Sequence, residues 1–190
     1  MDILEMLIGQ IGQGDVIETL SKSVSGDKKQ IEAATSIALP TLVKAMTKNA
    51  ESEKGLDSLL GALDQHSDSK VNNVSGFLNG VDLADGAKIL GHLFGSKKEA
   101  TEVQKQVAKK SGLDIAQAGT LLASLAPLLM GFLGNQKKEQ KLDGGSILDM
   151  LGKTKNNGIM DMVTGILDSD KDGSVIDDIG NLLGGFFGKK

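Results

Sequence analysis

The 190-residue sequence has no cysteine, no tryptophan and no tyrosine, only two prolines and five phenylalanines, and all 21 of its basic residues are lysine. Each absence removes a class of chemistry. Without cysteine there are no disulfides, thiolate metal sites or sulfur nucleophiles, a composition that suits a reducing compartment. Without arginine the planar fork that grips phosphate or guanine is missing, and without tryptophan or tyrosine base stacking is weak. With a net charge of -4 as well, no nucleic-acid partner is expected.

Histidine is nearly absent too. The two present, His66 and His92, leave few members for a Ser-His-Asp arrangement or a histidine-rich metal site. No Gly-rich loop ends in Lys-Ser/Thr, and no Gly-x-Gly-x-x-Gly follows a plausible strand, so phosphate and dinucleotide binding find no motif. His92, in Gly91-His92-Leu93-Phe94-Gly95, reads as a partly buried helix residue satisfied by a backbone carbonyl. A chain of this kind is expected not to be an enzyme, and metal-assisted hydrolysis is the weakest of the readings it leaves open.

Long hydrophobic runs are also scarce. Leu121 to Leu133 is the longest near-continuous one, 13 residues with Ser124 and Pro127 inside it, against the ~20 that a membrane-spanning helix needs. It reads as a buried core helix, with no transmembrane segment expected. The start, Met1-Asp2-Ile3-Leu4-Glu5, carries acids where a secretory leader carries basic residues, so a cytoplasmic location is expected.

What is present is helical. The apolar residues are mainly Leu, Ile, Ala and Met, in a chain 39% hydrophobic and 24% charged, which can fold but offers little for pleated sheets. Ile3, Leu4, Leu7, Ile8 and Ile11 fall on one helical face before a Gly12-Gln13-Gly14 break. Asp27 stands three residues before Gln30, a capping-box spacing, and Ile31, Ala34, Ile37 and Ala38 follow at helical intervals. Pro40 lacks a backbone donor, so that helix should kink or restart there. Asp114 and Gln117 repeat the capping spacing and open the run through Leu121, Leu122, Leu125 and Leu128, with Pro127 in the comparable place.

The repetition extends further. Ser25-Gly26-Asp27 through Val43 aligns with Ser111-Gly112-Leu113-Asp114 through Met130 with one residue inserted, and Ser58 to Leu63 matches Ser146 to Leu151 in spacing. The expected fold is all-α: a multi-helix bundle built from two related helical units, residues 1–82 and 83–190, as two domains or one continuous domain.

The sharpest chemical motif is Asp168-Ser169-Asp170-Lys171-Asp172-Gly173-Ser174, between apolar segments Ile159 to Leu167 and Val175 to Phe187. Calcium takes six to eight oxygens, and carboxylates at loop positions 1, 3 and 5, Gly at 6 and a carbonyl at 7 would supply them. Asp168, Asp170, Asp172 and Ser174 fit, but position 12 is Ile179, and the nearest acids, Asp177 and Asp178, come early. The metal candidates are therefore Asp168, Asp170, Asp172, Ser174 and, in a shortened loop, Asp178, with Ca²⁺ as ligand and no cofactor required. The competing reading is a capping box from Ser174 to Asp177. Leu63 to Val71 aligns with Leu167 to Val175 without gaps and keeps Asp64 and Asp68, while His66 and Ser69 replace the central Asp and the Gly. Asp64, His66 and Asp68 are a further, poorer set for a transition metal.

Glycine is plentiful at 25 residues. Gly91 with Gly95, and Gly180 with Gly184, would put small residues on one helical face and favour self-association or a protein partner. The tail, Gly184 to Lys190, joins two Phe to two Lys and could touch a partner or a membrane surface.

The strings Leu60-Gly61-Ala62-Leu63-Asp64-Gln65-His66, Asp85-Gly86-Ala87-Lys88-Ile89-Leu90-Gly91-His92-Leu93-Phe94-Gly95, Ser111-Gly112-Leu113-Asp114, Leu125-Ala126-Pro127-Leu128-Leu129-Met130-Gly131 and the Asp168 loop, in this order, resemble the bacterial YidB-like family of domains of unknown function. The resemblance runs from about Ala33 to Gly185. It implies a helical fold and bacterial origin, and brings no site residues. The expected function is a non-enzymatic structural or protein-interaction module, as a homo-oligomer or with another protein partner; the alternative is a calcium-binding module.

Overall fold

The computed structural model describes residues 3–153, with side chains from 6 to 151. These residues form nine α helices and no strand: α1 (Ile3–Ile11), α2 (Gly14–Val24), α3 (Lys28–Asn49), α4 (Glu53–Gln65), α5 (Val74–Asn79), α6 (Leu83–Leu93), α7 (Lys97–Ser111), α8 (Ile115–Gln140) and α9 (Gly144–Lys153). The all-α multi-helix bundle expected from composition is what the chain forms.

Side-chain oxygens set the helix starts. Asp27, Ser52, Asn73, Asp82, Ser96 and Asp114 each accept a hydrogen bond from a first-turn amide of the helix that follows. At Asp27 and Asp114 the box is complete: Gln30 N–H donates to Asp27 Oδ1 (3.0 Å) and Asp27 N–H to Gln30 Oε1 (3.2 Å), while Gln117 and Asp114 do the same at 2.7 and 2.8 Å.

Helix α8 is the axis. Every residue from Leu121 to Gly134 is buried, and α2, α3, α4, α5, α6 and α7 all pack on it. With apolar neighbours all round, no single face needs to be polar, which is why this segment shows a continuous run instead of an amphipathic stripe. Among the described residues α8 is the one helix long and apolar enough to cross a membrane, yet 72% of its most apolar stretch is buried inside the protein. Leu39, Leu42 and Met46 of α3, Leu63 of α4, Leu90 of α6 and Ile147 of α9 join Leu121, Leu125 and Leu129 in one core, so apolar residues on both sides of position 82 share it.

One expectation narrows and one changes. Of the kink or restart expected at Pro40, the restart does not occur: helix α3 runs on through it. The missing amide deprives the Ser36 carbonyl of its usual partner, and Ser36 lies on the exposed side, where water can serve it. Helix α6 ends at Leu93, and Gly95 lies beyond it with φ +77°, so Gly91 and Gly95 do not share a helical face. Gly95 terminates the segment by adopting a left-handed conformation open mainly to glycine.

Candidate functional site

Glycine's main service in the core is close approach. A Cβ on Gly86 of α6 would lie 1.9 Å from the Ala123 carbonyl oxygen of α8, so here the two backbones touch. Pro127, four residues on, has no N–H to return to that carbonyl. Proline and glycine thus act on the same atom from two helices, one leaving the oxygen without its helical donor and the other letting a backbone sit against it, where Cα–H can approach. On α8 itself, a Cβ at Gly134 would meet the Leu63 carbonyl oxygen at 2.4 Å, and one at Gly131 would meet Ser69 and Val71 side chains at 2.8 Å. Those glycines seat the turn that follows α4.

The last turn of α4, with Asp64, and the turn that follows, residues 66–73, hold the polar groups that the sequence singled out. Asp64 pairs with Lys137 and Asp68 with Lys138, both lysines lying in the last turn of α8. Asn135 Nδ2 donates to the Ser69 carbonyl at 2.9 Å. His66 Nε2 lies 3.7 Å from Asp85 Oδ2 in the first turn of α6, with side chains 19% and 37% exposed. That separation is beyond a direct hydrogen bond and becomes an ion pair only on the imidazolium. The three residues of the proposed transition-metal set therefore turn to three different partners. Among the described residues no group of three or more His, Asp or Glu could hold a metal ion.

A His-Asp pair is the orienting half of an acid–base relay, but it needs a nucleophile in reach. The adjacent hydroxyl, Ser67, donates instead to the Asp64 carbonyl at 2.8 Å. His92 is exposed in the last turn of α6, not partly buried as its apolar neighbours suggested, and a basic residue there complements the helix C-terminus. At the end of the turn and the start of α5, Asn72, Asn73 and Ser75 face Gln10, Gln13 and Asp15 across a polar cleft of about 270 Å³, with Ser75 Oγ donating to Asp15 Oδ2 at 2.8 Å. The sequence reading missed this cleft; its signal was the density of side-chain amides at both places. It missed Asp85 as the partner of His66 as well, because nothing local links residues so far apart in sequence.

Asp168, Asp170, Asp172, Ser174 and Asp178, the competing Ser174–Asp177 cap, Gly180, Gly184 and the tail from Gly184 to Lys190 all lie outside the described residues.

Residues 5–136 match the family described as bacterial protein of unknown function (DUF937). The chain belongs to that family. The matched segment starts well before Ala33 and stops before α9, so the DUF937 region holds the capped turns, the Gly86 contact and the turn after α4, but not the Asp168 loop. No curated protein and no solved structure matches the chain.

Proposed function

We propose that this DUF937 chain is a non-enzymatic, cytoplasmic structural or protein-interaction module that associates with itself or with another protein and requires no cofactor. One observation carries the reading: the groups that composition offered for catalysis are spent on the fold. Asp64 and Asp68 bind lysines of α8, His66 faces Asp85, and Asp27, Asp82 and Asp114 cap helices. The lack of cysteine agrees with a reducing location. Sedimentation of the full chain over a wide concentration range tests it. A rise in mass with concentration is expected for self-association, and a monomer throughout would leave only a hetero-partner.

A second reading, calcium binding by Asp168, Asp170, Asp172 and Asp178 with the Ser174 carbonyl, is favoured by the turn that aligns with this loop. There the two retained aspartates are neutralised by Lys137 and Lys138. Three aspartates at alternate positions repel one another more strongly and call for a cation of higher charge. Titration calorimetry with Ca²⁺ and Mg²⁺ on the wild type and on Asp170→Ala separates the readings. Calcium-specific heat that the substitution removes is expected; no such heat at millimolar ion sinks the calcium reading.

A further inference from the structure

Gln30 and Gln117 do more than close their own capping boxes. Gln30 Nε2 donates to the Gly112 carbonyl at 2.6 Å, and Gln117 Nε2 donates to the Ser25 carbonyl at 2.6 Å. Gly112 stands two residues before the cap Asp114, and Ser25 stands two residues before the cap Asp27. Both acceptors end the preceding helix in the left-handed region, at φ 78° and ψ 8° for Gly112 and at φ 60° and ψ 35° for Ser25. Pro40 and Pro127 each lie thirteen residues beyond the cap. Donor, acceptor, backbone conformation and proline spacing therefore correspond across the two turns, and each turn supplies one donor and one acceptor to the other, the pattern of a two-fold contact.

We infer that α2–α3 and α7–α8 are equivalent helical hairpins, the matching parts of a repeated unit, and that Gln30 and Gln117 are positioning residues locking them in register. The chemistry explains the residue type. At this position of a capping box glutamate serves as well as glutamine, because only an acceptor is needed. An amide alone offers both ends: Oε1 accepts from its own cap amide while Nε2 donates to the opposite hairpin. Counted from the caps the two turns have equal length: the residue between acceptor and cap is Gly26 in the first and Leu113 in the second. These two equivalent residues meet, since a Cβ on Gly26 would lie 2.7 Å from Leu113 Cδ2.

The test is Gln30→Glu, Gln117→Glu and the double variant in the full chain, followed by chemical denaturation. A residue that only caps predicts unchanged or improved stability at neutral pH, since a carboxylate suits a helix N-terminus. The lock predicts the opposite sign. Each single variant loses about fivefold in the folding equilibrium constant, the scale of one partly exposed hydrogen bond. The double variant loses less than the product of the singles, because breaking either tie slackens the other. Acid provides the second readout. A carboxyl facing a carbonyl oxygen is favoured protonated, so its pKa in the fold rises above the unfolded value; the lost donor returns as pH falls through that raised value, and the stability is fully regained below the unfolded one, about 4.3. The deficit relative to wild type should therefore close in acid and reopen as pH rises. Single variants as stable as wild type at pH 7, strictly multiplicative losses, or a deficit that does not change with pH would overturn the inference.

Discussion

The hairpins α2–α3 and α7–α8 begin with the same chemistry and end in different surroundings. Both pass from a left-handed residue to a capping Asp, a Gln three residues later and a proline within the second helix. Yet α3 keeps a solvent side, with Lys28, Lys29, Glu32, Ser36 and Lys48 exposed, whereas α8 buries every residue from Leu121 to Gly134. Local signals decide where a helix starts. What packs around it decides which residues it can carry: Pro40 leaves a carbonyl on a wet face, while Pro127 leaves one against the backbone at Gly86.

The largest effect should come from breaking the contact peculiar to α8. In Gly86→Ala the new methyl would meet the Ala123 carbonyl, backbone that cannot rotate away, so α6 must shift from the axis. Overpacking typically costs 1–3 kcal/mol, and a loss of about 3 kcal/mol or more is expected here. Gly91→Ala, on the same helix, is the control. A Cβ there meets nothing within 4 Å, so the gain in helix propensity should stabilise by about 0.5–1 kcal/mol. Denaturation midpoints that moved alike in the two variants would contradict this account of the crossing.

Much of this architecture was legible because it is local. The span of α1, the two complete capping boxes and the burial of the Leu121 run all follow from residues within a few positions of one another. Pro40 and Pro127 both lie inside unbroken helices, so the expected restart fails at a position where the freed carbonyl is accommodated by its surroundings, water in one case and a facing backbone in the other, which is a tertiary fact. Gly95 misled because spacing alone cannot tell the last helical residue from a left-handed terminator. The candidate site was less legible. Asp64, His66 and Asp68 look like ligands in sequence, and the partners that claim them, Lys137, Asp85 and Lys138, come from α6 and the far end of α8.

The next effect tests the likeness of the two turns rather than their difference. Asp27 and Asp114 are both exposed, and each holds the amide three residues on. Replacing a capping Asp by Ala costs about 1 kcal/mol. Asp27→Ala and Asp114→Ala should therefore lose similar amounts in urea denaturation, despite the deeper burial of α8. A loss several times larger for Asp114→Ala would mean that the core position of α8, not the cap, governs that turn.

A last effect separates the turns by pH. Lys110 stands two residues before Gly112, where the first hairpin has the exposed Ser23. Burial, with a smaller push from neighbouring Lys109, brings the Lys110 ammonium down from its ordinary 10.5 to about 8. The folded value lies below the unfolded one, so between about pH 8 and 10.5 the unfolded chain holds more of this proton and stability should rise with pH across that window. Below it the cost of burying the charge is fully present. The stability of wild type relative to Lys110→Gln should thus rise as pH goes from about 8 to 10.5, a difference read from denaturation midpoints measured in parallel. Groups common to the two proteins cancel in that difference. Profiles that stay parallel from pH 7 to 10.5 would show that the Lys110 ammonium keeps its water in the fold, and that the second turn bears no charge penalty absent from the first.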